Sequence, residues 1–170
     1  MNKHISPVLL CIVALLLSLF FSSCRQKSQP NIDEIYREFQ ENQRDFQQIA
    51  NYFSSVKYES IFIDSDDEFF WADFHQYPFD EMDVEVYNAI NYLFKEKGYL
   101  GISKSNIQLG VEFRMWTDNR SIDCGVIYAV RNDKEPHPEF VVELVPLPEE
   151  GWYYYVSDYN KWRSQQTQAG

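Results

Sequence analysis

The 170 residues of this chain carry 26 acidic and 15 basic side chains, a formal net charge of −11. Nucleic acids and anionic lipid surfaces are bound through clustered Lys and Arg, so this balance argues against both as ligands. Cys11 and Cys24 lie near the N-terminus, which leaves Cys124 alone in the remainder and excludes an internal disulfide or a cysteine-rich metal site.

The first 24 residues have the pattern of an export signal. Lys3 and His4 precede a nearly unbroken apolar run over residues 8–21. This run is shorter than the about 20 residues of a membrane span, but it has the length of a signal-peptide core. The sequence Ser-Ser-Cys follows and ends at Cys24. It resembles the lipobox of bacterial lipoproteins, with Phe21 where Leu is usual.

The resemblance implies that residues 1–23 are removed as a signal peptide and that Cys24 carries lipid. Residues 24–30 would then tether a domain to a membrane of the bacterial cell envelope, outside the cytoplasm. Because Lys3 is the only charged residue removed, the mature charge would be 14 − 26 = −12. Secretion without a lipid and an uncleaved anchor helix are the alternatives that this pattern leaves open.

A long N-terminal helix is predicted to follow the tether. Asn31 and Glu34 have the spacing of a capping box, in which each side chain accepts from the other residue's backbone N–H. Apolar residues then recur every three or four positions from Ile32 to Val56. The polar Asn42 interrupts this stripe once. The pattern favours one amphipathic helix that lies on a sheet.

The rest of residues 31–162 is predicted to complete a single α+β domain. A short β-hairpin precedes a second helix, which Asp80 caps and which ends near Lys97. A four-stranded antiparallel meander follows, with its apolar face against the helices, and residues 163–170 form a polar tail. The four strands centre on alternating apolar residues over 107–115, 122–130, 140–144 and 152–156.

The hairpin between the first two meander strands has a register that apolar pairing predicts. Phe113 opposite Cys124 places the apolar residues of both strands on one face. Arg114 then lies directly opposite Asp123 on the other face, where opposite charges stabilise the pairing. The loop in this register has four residues, 117–120.

The sequence contains little that indicates catalysis or metal binding. The acidic run that starts at Asp64 has Phe69 and His75 where a calcium-binding EF-hand needs Gly and a bidentate Glu. His75 and His137 have no second ligand at metal spacing, and no phosphate-binding glycine motif is present. We therefore expect no metal and no cofactor, and an enzyme is not the favoured class.

The remaining candidate is the polar face of the meander. Alternation along the strands places mixed charges and two tyrosines there, which are Glu112, Arg114, Asp123, Arg131, Glu143, Tyr153 and Tyr155. The sequence thus predicts a membrane-tethered, non-catalytic binding module for a protein or other macromolecule. An inhibitor or immunity-type protein against a basic partner is one version. The alternative is an envelope hydrolase or small-ligand-binding protein with a site between sheet and helices.

Overall fold

The computed structural model describes residues 28–118, 120–131 and 134–168. They form one eight-stranded antiparallel sheet, in the order β3-β2-β1-β4-β5-β6-β8-β7, together with four α-helices. The helices are α1 (Ile32–Glu41), α2 (Gln43–Ser55), α3 (Val84–Lys95) and α4 (Tyr159–Gln168). The strands are β1 (Ser60–Asp64), β2 (Phe69–Ala72), β3 (His75–Pro78), β4 (Gly101–Ser105), β5 (Gly110–Thr117), β6 (Ile122–Ala129), β7 (Val141–Pro146) and β8 (Trp152–Asp158).

The prediction of a separate hairpin and a four-stranded meander is wrong. The hairpin of β1 and β2 belongs to the same sheet, because β4 pairs with both β1 and β5. β4 escaped prediction because Gly101, Ser103 and Ser105 replace the larger side chains that mark a strand. β3 contains Pro78, which is tolerated at the edge of a sheet but weakens the sequence signal.

The predicted long N-terminal helix is in fact two helices that meet at Asn42. The backbone of Asn42 leaves the helical region, with φ −120° and ψ 16°, so this residue ends α1 and precedes α2. Its buried amide donates to the carbonyl oxygen of Glu38 at 2.8 Å, which satisfies a group that the break would leave unpaired. The capping box of Asn31 and Glu34 at the start of α1 is confirmed.

The start of α3 also differs from the prediction. Asp83, not Asp80, is the N-cap, and its carboxylate accepts from the backbone N–H groups of Glu85 and Val86. Asp80 lies one turn earlier in a short 3-10 helix, Phe79–Glu81. Both positions carry an aspartate, so the sequence alone does not show which of the two is the N-cap. The backbone conformation around residues 79–83 decides this.

One face of the sheet is covered by α1, α2 and α3, and aromatic rings fill the space between the layers. Phe39, Phe46 and Phe53 project from the helices and are fully buried, as is Phe113 on β5. The ring of Trp152 lies 4.8 Å from that of Phe39 and 5.9 Å from that of Phe46. The predicted burial of Phe46 is confirmed, and we call this side the helix-covered face.

A lysine is buried within this apolar layer. Lys104 on β4 is only 4% exposed, yet its ammonium donates to the carbonyl oxygens of Val56 at 2.9 Å and Tyr58 at 2.7 Å. These acceptors follow the C-terminus of α2, where a positive charge is favourable. Burial lowers the pKa of Lys104. The side chain therefore links the end of α2 to the centre of the sheet.

The predicted register of the β5–β6 hairpin is wrong by two residues. Phe113 pairs with Val126, and Arg114 pairs with Gly125 rather than with Asp123. Because the error is an even number, each side chain stays on the expected face up to Arg114. A β-bulge follows Arg114. Gly125 accommodates the bulge, since a Cβ there would lie 2.0 Å from the carbonyl oxygen of Phe113.

The loop of this hairpin explains the shift. The carboxylate of Asp118 accepts from the backbone N–H groups of Arg120, Ser121 and Ile122, at 2.8, 2.8 and 2.9 Å. These bonds lower the pKa of Asp118 and hold a four-residue loop, 118–121, that lies one residue further along the chain than the predicted one. The prediction used only the pairing of apolar residues, and this pairing gives no information about a loop conformation that the Asp118 carboxylate determines.

The C-terminal residues continue beyond the predicted domain boundary at 162 as part of α4. The ring of Phe140, at the end of the connection to β7, lies 5.0 Å from Tyr159 and 5.2 Å from Trp162 of this helix. Within the part of the chain that the structure describes, no helix is long and apolar enough to cross a membrane.

Candidate functional site

The face of the sheet opposite the helices, which we call the second face, is covered over only part of its area. The connection from β6 to β7 lies along it, because the His137 N–H donates to the Gln108 carbonyl oxygen at 2.7 Å and the Ser157 hydroxyl donates to that of Glu139 at 2.7 Å. Ile127 and Tyr155 belong to this face by register and are fully buried. The region over β1, β4 and β5 stays open.

This open region is a cleft with a volume of about 410 Å³, which we call the β4 trough. Its floor follows β4, where Gly101, Ser103 and Ser105 present little side chain. Phe62 of β1 lines one side. The opposite side is lined by residues of β5 and of the covering connection, which include Glu112, Arg114, Asp123, Glu139 and Phe140. Small residues on the middle strand thus create a depression between bulkier neighbours.

Glu112 is the most constrained carboxylate in the β4 trough. Its Oε1 accepts from the hydroxyl of Tyr155 at 2.6 Å. Burial, together with the charges of Asp123 and Glu139, raises the pKa of Glu112, while the Tyr155 hydrogen bond and Arg114 oppose the shift. Burial also raises the pKa of Tyr155, so its hydroxyl remains a donor. This pair fixes the position of a carboxylate at the base of the cleft.

Arg114 is held by an ion pair within the chain, although its buried Nε has no hydrogen-bond partner among the described residues. Its guanidinium forms an ion pair with Asp64 at the end of β1. The pair crosses β4 at Gly101, where a Cβ would lie 2.9 Å from both the Arg114 Nη2 and the Asp64 Oδ1. The predicted partner, Asp123, is therefore replaced by a residue 50 positions away in sequence. Arg114 closes one end of the β4 trough.

Aromatic side chains form the rim next to β1. Phe62 lies opposite Trp71 in the register, and these side chains are 40% and 37% exposed. The ring of Phe69 packs edge-on against that of Trp71 at 5.7 Å. Phe140 provides a partly exposed ring on the opposite side. Exposed aromatic rings beside carboxylates are suited to bind cations, which are attracted to both.

The charged side chains that line the β4 trough are mostly acidic. Glu112, Asp123 and Glu139 supply carboxylates, whereas the positive charge of Arg114 is already neutralised by Asp64. No group of three His, Cys, Asp or Glu side chains in the described ranges could hold a metal ion. The acidic side chains lie on the side of the cleft formed by β5, β6 and the covering connection.

The structure brings together only some of the side chains predicted for the binding face. Glu112, Arg114 and Asp123 line the β4 trough, and Tyr155 lies behind Glu112. Tyr153 is on the second face, half-buried beside Ile127 and Pro146 in the register. Arg131 is exposed just beyond β6 and does not line the trough.

Glu143 lies on the other face of the sheet. A bulge in β7 between Val141 and Glu143 places Glu143 opposite Val156, whose side chain belongs to the helix-covered face. Sequence reasoning also missed Phe62, Ser103 and Ser105, because β1 and β4 were not expected beside β5. The predicted lipidation site, Cys24, lies outside the described residues.

Comparison of the chain with protein-family models, with curated proteins and with solved structures gave no match.

Proposed function

We propose that the chain is an envelope lipoprotein whose domain is a non-catalytic binding module, and that it holds a basic segment of a partner protein in the β4 trough. The observation that carries this proposal is the combination of carboxylates and exposed aromatic rings around a cleft in which Arg114, the one arginine among the described lining residues, is already ion-paired. The net charge of −11 attracts a basic partner from a distance and speeds its association.

The shape of the β4 trough supports an extended segment as its occupant. Its floor follows a five-residue strand, so the cleft offers a length of about 13 Å to a chain running beside it. The absence of bulky side chains at Gly101, Ser103 and Ser105 allows a peptide to approach the sheet closely. Packing gives less support to a site in the centre of the layer between sheet and helices, where buried rings occupy the space.

Binding can be tested with pentalysine that carries a fluorophore at its N-terminus and keeps its side-chain amines free. Its binding is measured by fluorescence anisotropy. We expect the double variant Glu112→Gln/Asp123→Asn to weaken binding about tenfold, because two carboxylates of the cleft lose their charge. The matched control is Glu85→Gln/Glu96→Gln, which removes the same charge from the exposed surface of α3. Equal weakening by both pairs, or no binding by the wild type, would contradict the proposed site.

The natural partner can be sought with a photo-crosslinking residue at Ser103 in the β4 trough and, as a control, at Asn88 on α3. A partner of the trough should be captured from Ser103 and not from Asn88. Its capture should also be lost in the Glu112→Gln/Asp123→Asn variant. A protein captured equally from both positions would not be the partner proposed here.

The anchor is tested separately. Cys24→Ala should release the protein from membranes or leave an unprocessed precursor, because the acyl chains on Cys24 would supply the attachment. Mass spectrometry of the wild type should find lipid on an N-terminal Cys24. A mature protein with an unmodified Cys24 would refute the anchor without affecting the binding proposal.

A further inference from the structure

A second cavity lies beside the first helix and shares no lining residue with the β4 trough. It has a volume of about 370 Å³, within the range of small-molecule sites, and we call it the α1 cavity. Ile35 of α1 forms one wall, and Met115 and Trp116 at the end of β5 form another. These side chains supply the apolar part of the lining, and charged residues of α1 together with Lys97 supply much of the rest.

Tyr99 contributes an unpartnered polar group to this wall. Its side chain is only 2% exposed, and its ring packs edge-on against Phe46 at 5.4 Å. Its hydroxyl has no hydrogen-bond partner among the described residues. Burial, followed by the charges of Glu38 and Glu41, raises the pKa of Tyr99, so the group keeps its proton. A buried donor without an acceptor is uncommon, and a ligand that accepts from this hydroxyl would complete the site.

The charges at the mouth of the α1 cavity leave a cation without a partner. Glu34 already accepts from the Asn31 N–H, and Glu38 accepts from the Asn42 amide. Lys97 is 3.6 Å from Glu38 and 3.8 Å from Glu41, distances at which it can still turn to a ligand. Arg37 is exposed and makes no ion pair within the described residues.

We propose that the α1 cavity binds an anionic amphiphile, with its hydrocarbon chain against Ile35, Met115 and Trp116. The carboxylate or phosphate head accepts from the Tyr99 hydroxyl and pairs with Arg37. The negative charge of the whole chain opposes adhesion to an anionic surface, but it does not prevent a single head group from entering between local cations. This site is independent of the partner proposed for the β4 trough.

The probe is 11-bromoundecanoate, added to the full chain reconstituted in phosphatidylcholine nanodiscs. Bromine quenches a nearby indole, so binding should reduce the fluorescence of Trp116 in a saturable way, and Trp116→Phe should remove this component. A second preparation carries brominated phosphatidylglycerol in the nanodisc. Quenching by the free carboxylate alone identifies a soluble amphiphile as the ligand, and quenching by the phospholipid alone identifies a membrane lipid.

Tyr99→Phe removes only the hydroxyl and should weaken binding about ten- to a hundredfold, because a hydrogen bond to a charged head is lost. Without ligand this variant should be at least as stable as the wild type, since the hydroxyl has no partner to lose. Arg37→Gln should also weaken binding, whereas Tyr92→Phe and Arg44→Gln, on α3 and α2, should not. Unsaturable quenching, or equal affinity in Tyr99→Phe and the wild type, would overturn the proposal.

Discussion

The two faces of the sheet are built on different principles. On the helix-covered face, buried side chains of the helices and of the sheet form one cluster that is rich in aromatic rings. Even the charged Lys104 is buried and hydrogen-bonded there. On the second face the middle strand carries Gly101, Ser103 and Ser105, and the aromatic residues Phe62 and Trp71 remain partly exposed. One face maximises contact, while the other leaves space.

This difference separates stability from recognition within a single sheet. A core residue cannot be exchanged for a binding residue without leaving a cavity, so a binding site placed within the cluster of buried rings would destabilise the fold. The second face has fewer such constraints, because β1, β4 and β5 are already fixed by the core behind them.

The largest effect is expected for Phe46→Ala. Phe46 is fully buried between α2 and the sheet, and its removal should lower the free energy of unfolding by about 3–5 kcal/mol. Phe62→Ala, at a side chain 40% exposed on the second face, should change it by less than about 1 kcal/mol. Urea denaturation measures both. Similar losses for the two variants would mean that the faces do not differ in this way.

Gly125→Ala tests the point where the bulge displaces the two strands. Its Cβ would lie 2.0 Å from the carbonyl oxygen of Phe113, so the backbone must shift, at a cost of about 1–3 kcal/mol. Ser103→Ala, on the floor of the β4 trough, is the control and should be nearly neutral. Thermal unfolding that gave the same midpoint for Gly125→Ala and the wild type would show that the bulge is not constrained by this contact.

Glu112 should give the second face a distinct dependence on pH. Because its pKa is raised in the folded protein, the stability that it contributes is present below the ordinary value of 4.5 and is lost as pH rises through the raised pKa. Glu112→Gln stays neutral, so its stability relative to the wild type should increase with pH across this window. Urea denaturation at several pH values, with Glu85→Gln as control, measures the difference. Parallel pH profiles for Glu112→Gln and the wild type would contradict the assignment.

The smallest effect is expected for the ion pair of Asp64 and Arg114. The two side chains are 40% and 29% exposed, so solvent screens their attraction. A double-mutant cycle with Asp64→Asn and Arg114→Gln should give a coupling free energy of about 0.2–1 kcal/mol. A coupling free energy of several kcal/mol would contradict this prediction and would mean that the ion pair contributes substantially to the stability of the fold.

Local patterns in the sequence predicted the elements whose signals are carried by a few neighbouring residues. The capping box at Asn31 and the burial of Phe46 follow from spacing within one helix. The fold class could not be obtained in this way, because it depends on which strands pair. β4 joins the two halves of the sheet with residues whose small side chains resemble those of a loop.

The candidate site was only partly predictable for the same reason. Alternation along β5 placed Glu112 and Arg114 on a common face, and that placement did not depend on the register error of two residues. Phe62 lies 50 residues before Glu112 in sequence. It reaches the same cleft only through the pairing of β1 with β4. Glu143 could not be placed, since a bulge gives no signal in the alternation of β7.

The rate at which a disulfide reagent modifies Cys124 would report how often the domain opens. The Cys124 side chain is fully buried on β6, and burial raises the pKa of its thiol to about 12, so the reactive thiolate is both scarce and shielded. A disulfide reagent can modify it only when β6 separates from the helices, and the rate of modification therefore counts these openings under native conditions. Timing the reaction with and without pentalysine would measure whether occupancy of the β4 trough changes how often the opposite side of the sheet opens.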